Sequence, residues 1–289
     1  MYRLIIIFIV FFCSSSLSAA SSPLFTQLYQ YAKFSDLAYS SMKKIQAGVA
    51  AQGYQLNQAK ALAGYDVAYF IASDDKKQQQ IISIRGSQNM RNAALDMSLQ
   101  LVPEAHLGIR LHEGFASAAA AVYADIKPYL NSNYQINITG HSLGGAVAAI
   151  LAMHLSIDRY SIGRVVTFAQ PKITDMQGAK TYAYLNILRV TTDKDAVPLL
   201  PPFSFNSVSL SEIYWHVGDE ILLYSGEQYT RLNAQQSILR AADLMMQMPD
   251  GGNIQAHKMT YYLRLLQSKL KQSIYRPYKS MANPLNWIF

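Results

Sequence analysis

Gln135-Ile136-Asn137-Ile138-Thr139-Gly140-His141-Ser142-Leu143-Gly144-Gly145-Ala146-Val147-Ala148-Ala149 decides how this chain is read. Its first five residues alternate polar and apolar, as a short strand does, and from Gly144 to Ile157 small and apolar residues form a helix. Gly140-x-Ser142-x-Gly144 joins the two with almost no loop. So tight a turn strains the backbone of its central residue, and glycines flank it because a Cβ there would strike the neighbouring strand or helix. The serine falls at the carboxyl end of a strand and the amino end of a helix. There its hydroxyl is expected to be exposed in a crevice, and the helix dipole favours developing negative charge. In that context G-x-S-x-G marks a nucleophile, Ser142.

Working outward, the neighbouring segments supply the rest of an α/β fold. Val67 to Ile71 and Ile81 to Ile84 read as paired strands, with Ser73-Asp74-Asp75-Lys76-Lys77 as the hairpin loop. Phe25 to Tyr39 and Glu113 to Leu130 read as helices, the second closed by Pro128. Arg164 to Phe168 and Leu185 to Val190 are apolar strands. Strands and helices alternating at this spacing imply βα units and a mainly parallel central sheet flanked by helices. From Ser237 onward helices dominate, ending in a basic stretch (Lys269, Lys271, Arg276, Lys279) and the tail Trp287-Ile288-Phe289, which is expected to pack against the domain.

The chain has 289 residues, 51% hydrophobic and 15% charged, enough apolar material for a large core and too little charge for disorder. Its formal net charge of +7 would favour transient contact with an anionic lipid surface, although aiding solubility is the plainer role. Lys and Arg do not interleave with aromatics, which excludes a nucleic-acid module. Met1-Tyr2-Arg3, the apolar run Leu4 to Cys13 and the small residues before Ala20 have the layout of a secretory signal peptide. The expectation is a signal peptide over 1–20 and one domain over 21–289, exported to a periplasm or the medium; an uncleaved anchor is the alternative. Cys13 is the single cysteine, and Val10-Phe11-Phe12 before it rules out lipoprotein processing. The mature chain then has no disulfide, no thiolate nucleophile and no cysteine-bound metal.

A serine needs a base, and the base needs an orienting carboxylate. With an elbow of this kind the chain order is serine, acid, histidine. Asp193 and Asp195 both follow the strand ending at Val190, and either could serve. Of the later histidines, His154 lies inside the helix after the elbow and points away. His216 sits in the aromatic stretch Tyr214-Trp215-His216, and His257 follows Asp250-Gly251-Gly252 and begins a helix. Position places His257 slightly ahead of His216 and leaves both open.

Taken in order, Ile84-Arg85-Gly86-Ser87, Leu111-His112-Glu113-Gly114-Phe115, the elbow, Thr167-Phe168-Ala169-Gln170-Pro171, Asp195-Ala196-Val197-Pro198 and Ala256-His257 resemble the class 3, or fungal-type, lipases. The resemblance runs from about Phe25 to Tyr262 and implies an α/β-hydrolase fold. It implies Asp195 as the acid, with Asp193 a bystander, and His257 as the base in place of His216. It implies an oxyanion hole from the backbone N–H groups of Leu143 and Ser87, and structural pairing for Arg85 and His112. A helical lid would occupy about Gln88 to Leu95, where Ala93-Ala94-Leu95 stands in place of the tryptophan frequent in the family. Lys172-Ile173-Thr174-Asp175 replaces the usual Arg-Val-Gly-Asn.

The resulting expectation is a monomeric serine esterase that cleaves a lipid carboxylic ester through an acyl-enzyme. It needs no cofactor and no metal, because the protein supplies the nucleophile. The alternatives are a phospholipase A1 and an exported, non-catalytic lipid-binding protein on the same scaffold.

Overall fold

The computed structural model describes residues 22–87, 100–201, 213–247 and 254–278. The expected signal peptide, the expected lid and the C-terminal tail lie outside them. A nine-stranded sheet runs through the centre. In chain order its strands are β1 (Gln55–Leu62), β2 (Val67–Asp74), β3 (Gln79–Arg85), β6 (Gln135–His141), β7 (Ile162–Phe168), β8 (Ile187–Thr192), β9 (Asp219–Leu223), β10 (Gln228–Leu232) and β11 (Ile274–Tyr275), and they lie side by side in that order. β4 (Leu101–Glu104) and β5 (Ile109–His112) form a separate antiparallel ribbon.

From β3 to β9 every pairing is parallel, while β1, β2 and β3 pair antiparallel, as do β9 and β10. The central strands β3, β6, β7 and β8 are buried along most of their length because both faces are covered, and β6 keeps its polar–apolar alternation even so. At the edge, β1 alternates exposed and half-buried residues and carries Gln55, Gln58 and Lys60, which discourages further pairing.

Helices close both faces. On one side α3 (Glu113–Ile126) and α4 (Leu143–Ile157) pack Phe115, Val122, Val147 and Ile150 against Ile82, Ile138 and Val165 of the sheet. On the other, α1 (Pro23–Leu37), α2 (Met42–Ala50) and the late helix α8 (Met259–Gln267) pack Phe25, Leu28, Ile45, Tyr262 and Leu266 against Phe70, Val166 and Val190. Each such side chain contributes about 1.5–3 kcal/mol by leaving water. The remaining helices are α5 (Met176–Thr181), α6 (Ala234–Gln247) and the single turn α7 (Ile254–His257). Among the described residues no helix is long and apolar enough to cross a membrane.

The sequence expectations hold for the architecture and shift at the boundaries. The strand expected at Leu185 to Val190 begins two residues later, because Leu185 still closes a turn to Ile187. The helix from Glu113 stops at Ile126, and Pro128 turns the next three residues into a 3-10 turn. β6 continues through His141, one residue short of the elbow.

Candidate active site

Ser142 occupies the turn between β6 and α4 with φ 59° and ψ −129°, a combination that non-glycine residues adopt at a cost of about 1–3 kcal/mol. Its neighbours enforce it. The Ser142 N–H donates to the Phe168 carbonyl on β7 at 2.9 Å, and its own carbonyl accepts from Gly145 and Ala146. The glycines are forced by close approach: a Cβ at Gly140 would lie 2.2 Å from the Gly144 carbonyl oxygen, and one at Gly144 would lie 2.2 Å from that of Ile84. The strained elbow is as expected. Ser142 is only 8% exposed, because the elbow is wedged between the ends of β3 and β7.

Asp195 and His257 meet next to this turn. His257 Nδ1 lies 2.9 and 3.0 Å from the two carboxylate oxygens of Asp195, and both side chains are buried. A carboxylate only accepts, so Nδ1 carries the hydrogen and Nε2 is left with its lone pair. Among the described residues Nε2 has no hydrogen-bond partner. The main-chain oxygen of His257 is 2.6 Å from Nε2 of His141, which ties the histidine to the residue before Ser142. His257 ends the short helix α7; it does not begin one.

Asp195 is held from two further directions, by the Tyr262 hydroxyl at 2.7 Å and by the Val197 N–H at 3.0 Å. Burial and the Asp195 charge drive the Tyr262 pKa well above its usual value, so the phenol stays protonated and donates. Tyr262 was not visible in the sequence as a site residue; its signal was an aromatic five positions after the histidine, on the helix that follows.

The end of β3 abuts the start of α4. A Cβ at Gly86 would be 3.0 Å from the Leu143 nitrogen and 2.9 Å from that of Gly144, which puts Ser87 one residue from the Leu143 N–H. The Ser87 hydroxyl donates to Asp66 at 2.5 Å, so that side chain is engaged elsewhere and leaves the backbone as the candidate oxyanion donor.

The other singled-out residues fall into structural places. His216 donates through Nε2 to the Pro198 carbonyl, and burial holds its pKa well below the usual value. His154 is buried on the far side of α4, stacked between the rings of His106 and Tyr123. His112 caps α3 by accepting from the Phe115 N–H, and Arg85 faces Asp66 at 3.7 Å. The Lys172 segment acquires a reading that the sequence lacked. Lys172 Nζ donates to the carbonyls of Leu199 and Pro201, bracing the chain just after Asp195, and Asp175 caps α5. Burial, helped by nearby Arg189, lowers the Lys172 pKa to about 7. Among the described residues no group of three or more His, Cys, Asp or Glu side chains could hold a metal ion.

The sequence model of the family described as Lipase (class 3) matches residues 81–205. Over these residues the chain is similar to the class 3 lipases. The matched segment contains Ser87, Ser142, Leu143 and Asp195 and ends before His257, whereas the sequence resemblance reaches Tyr262. The secreted mono- and diacylglycerol lipase 1 of Fusarium solani is 31% identical over 52% of this chain and 47% of its own length. The secreted mono- and diacylglycerol lipase A of Penicillium cyclopium is 33% identical over 52% of each chain. The chain thus spans about half the length of the curated relatives it matches. The solved triacylglyceride lipase of Rhizomucor miehei superimposes with a TM-score of 0.59 at 25% identity, covering 71% of this chain and 82% of that one. A further triacylglycerol lipase structure, 21% identical, covers 83% of this chain with a TM-score of 0.61 and supports the fold alone. Around the segment that matches this family the chain has the α/β-hydrolase fold.

Proposed function

We propose that this protein is an exported serine esterase that hydrolyses carboxylic esters of acylglycerols through an acyl-enzyme. The observation that carries the reading is the pairing of Asp195 with His257 Nδ1, on a histidine whose main chain is bonded to the residue before the strained Ser142. In this scheme Ser142 Oγ attacks the ester carbonyl carbon while His257 Nε2 takes its proton. The Leu143 and Ser87 N–H groups receive the oxyanion at the amino end of α4, where preorganised dipoles need no rearrangement as charge appears. The carbonyl reforms, the carbon–oxygen bond breaks, and His257 returns the proton to the departing alcohol. Water repeats the sequence on the acyl-enzyme, releasing the fatty acid. Asp195 holds the ring and stabilises its transient charge.

Acylglycerol is favoured as the substrate because the matched relatives are named mono- and diacylglycerol lipases. Their names also describe them as secreted, which agrees with a signal peptide over residues 1–20 ahead of a single monomeric domain. The net charge of +7 favours phospholipid as a second substrate class. A fluorophosphonate should label the wild type on Ser142 and leave Ser142→Ala unlabelled, and diacylglycerol should be turned over faster than phosphatidylcholine. Absence of labelling would revive the non-catalytic lipid binder, and the opposite substrate order would make the protein a phospholipase A1.

A further inference from the structure

Behind the proposed triad lies a second set of buried polar side chains that the chemistry does not use. His141 is the last residue of β6 and is buried. Its Nε2 meets the His257 carbonyl at 2.6 Å and its Nδ1 meets the Tyr39 hydroxyl at 2.8 Å. A carbonyl oxygen can only accept, so Nε2 bears the hydrogen. In a neutral ring Nδ1 is then bare and accepts from the phenol. Burial, reinforced by the neighbouring His257 ring, keeps the His141 pKa well below its usual value, so the ring is neutral and this tautomer is fixed. Tyr39 follows the end of α1, and burial raises its pKa. One polarised series therefore joins three separate segments: the turn after α1, the elbow, and the main chain of His257.

The last link has a specific consequence. The His257 carbonyl lies at the end of α7, where helix carbonyls have no partner within the helix. The bond from Asp195 fixes one ring nitrogen but leaves the backbone beneath the ring unanchored. His141 supplies that anchor from the strand that carries the nucleophile. We propose that the Tyr39–His141 pair is a positioning device that locks the His257 main chain to the serine elbow, so that base and nucleophile keep one separation through both halves of the reaction. The proposal rests on the hydrolase reading.

The test uses the whole protein as wild type, Tyr39→Phe, His141→Asn and His141→Gln. The rate on a soluble p-nitrophenyl ester is divided by the concentration of sites titrated with a fluorophosphonate. Gln places its amide nitrogen where Nε2 lies and keeps the donor to His257; Asn places it at Nδ1 and loses that donor. A misplaced base costs on the order of 10- to 100-fold in kcat, and this loss is expected for His141→Asn with KM unchanged. His141→Gln should recover most of it, and Tyr39→Phe should fall between. Equal kcat per titrated site in the Asn and Gln variants, or a wild-type kcat in Tyr39→Phe, overturns the proposal, because a merely structural pair would lower thermal stability alone. Nitrogen NMR of the wild-type imidazoles gives a readout that no variant's folding can obscure: His141 should carry its hydrogen on Nε2, and a hydrogen on Nδ1 overturns the proposal. A wild type without ester turnover would overturn the hydrolase reading instead.

Discussion

The Tyr262 hydroxyl lies 2.7 Å from Oδ2 of Asp195, on the same carboxylate that orients His257. A hydrogen bond to a charged group contributes about 1.5–3 kcal/mol. Tyr262→Phe removes it while keeping the ring that packs on Phe168. The expected result is a fall of about tenfold in kcat/KM, or roughly 1.4 kcal/mol of barrier, measured on a soluble ester with titrated sites. An unchanged kcat/KM would show that Asp195 is held well enough by His257 and Val197 alone.

The two aspartates and the two histidines should separate cleanly. Asp195→Asn should lower kcat about 10³- to 10⁴-fold by favouring the wrong imidazole tautomer, whereas Asp193→Asn should stay near wild type. His257→Ala should abolish turnover. His216→Ala should keep the chemistry and lose about 1 kcal/mol of stability with its bond to the Pro198 carbonyl. Steady-state rates beside thermal melts check both contrasts, and a reversal within either pair would exchange their roles.

Close packing at the elbow predicts a folding defect where a helix-propensity argument predicts a gain. Gly144→Ala would drive a Cβ to within 2.2 Å of the Ile84 carbonyl oxygen and 2.7 Å of the Gly86 nitrogen, both backbone atoms that cannot swing aside. Gly114→Ala, also helical, meets only the His112 ring at 3.6 Å, an ordinary contact. The first should yield insoluble or unfolded protein and the second a gain of about 0.5–1 kcal/mol, read from urea unfolding.

Glu220 is buried between Arg240 at 2.6 Å and Arg189 at 3.3 Å, and also accepts from Ser237 and Thr191. Burial alone would raise its pKa, but Arg240 and Arg189 outweigh it and lower the pKa below the usual 4.5. The unfolded chain therefore takes up the proton first as acidity rises. The stability due to Glu220 is complete above about 4.5, the unfolded value, and is lost as the pH falls through the lower folded value. Glu220→Gln should cost about 3–5 kcal/mol near neutrality by stranding the guanidinium groups. Below the unfolded value its urea midpoint should fall less steeply with pH than that of the wild type.

Much of this architecture was legible because the decisive signals are local. The strand–turn–helix at Ser142 requires two glycines at fixed spacing, and the apolar residues gathered in β3 and β7 report burial. The proposed acid and base were less legible. Asp193 and Asp195 look alike in sequence, and only the fold shows that the Asp195 carboxylate meets His257. Tyr39, His141 and Tyr262 escaped because their partners lie roughly a hundred residues away or across the sheet, and an isolated aromatic or histidine reads as core.

The packing of α8 against α1, the last and first described helices, bears on how the molecule comes into being. A ribosome delivers the serine elbow long before it delivers His257, and β6, α4 and β7 can assemble meanwhile. On the proposed reading, until the late helices emerge and clasp the first, the nascent chain would carry the nucleophile without its base. A chain that stopped between α4 and α7 would keep the signature motif and lack activity, so biosynthesis itself would delay the hazard of an esterase among membrane lipids.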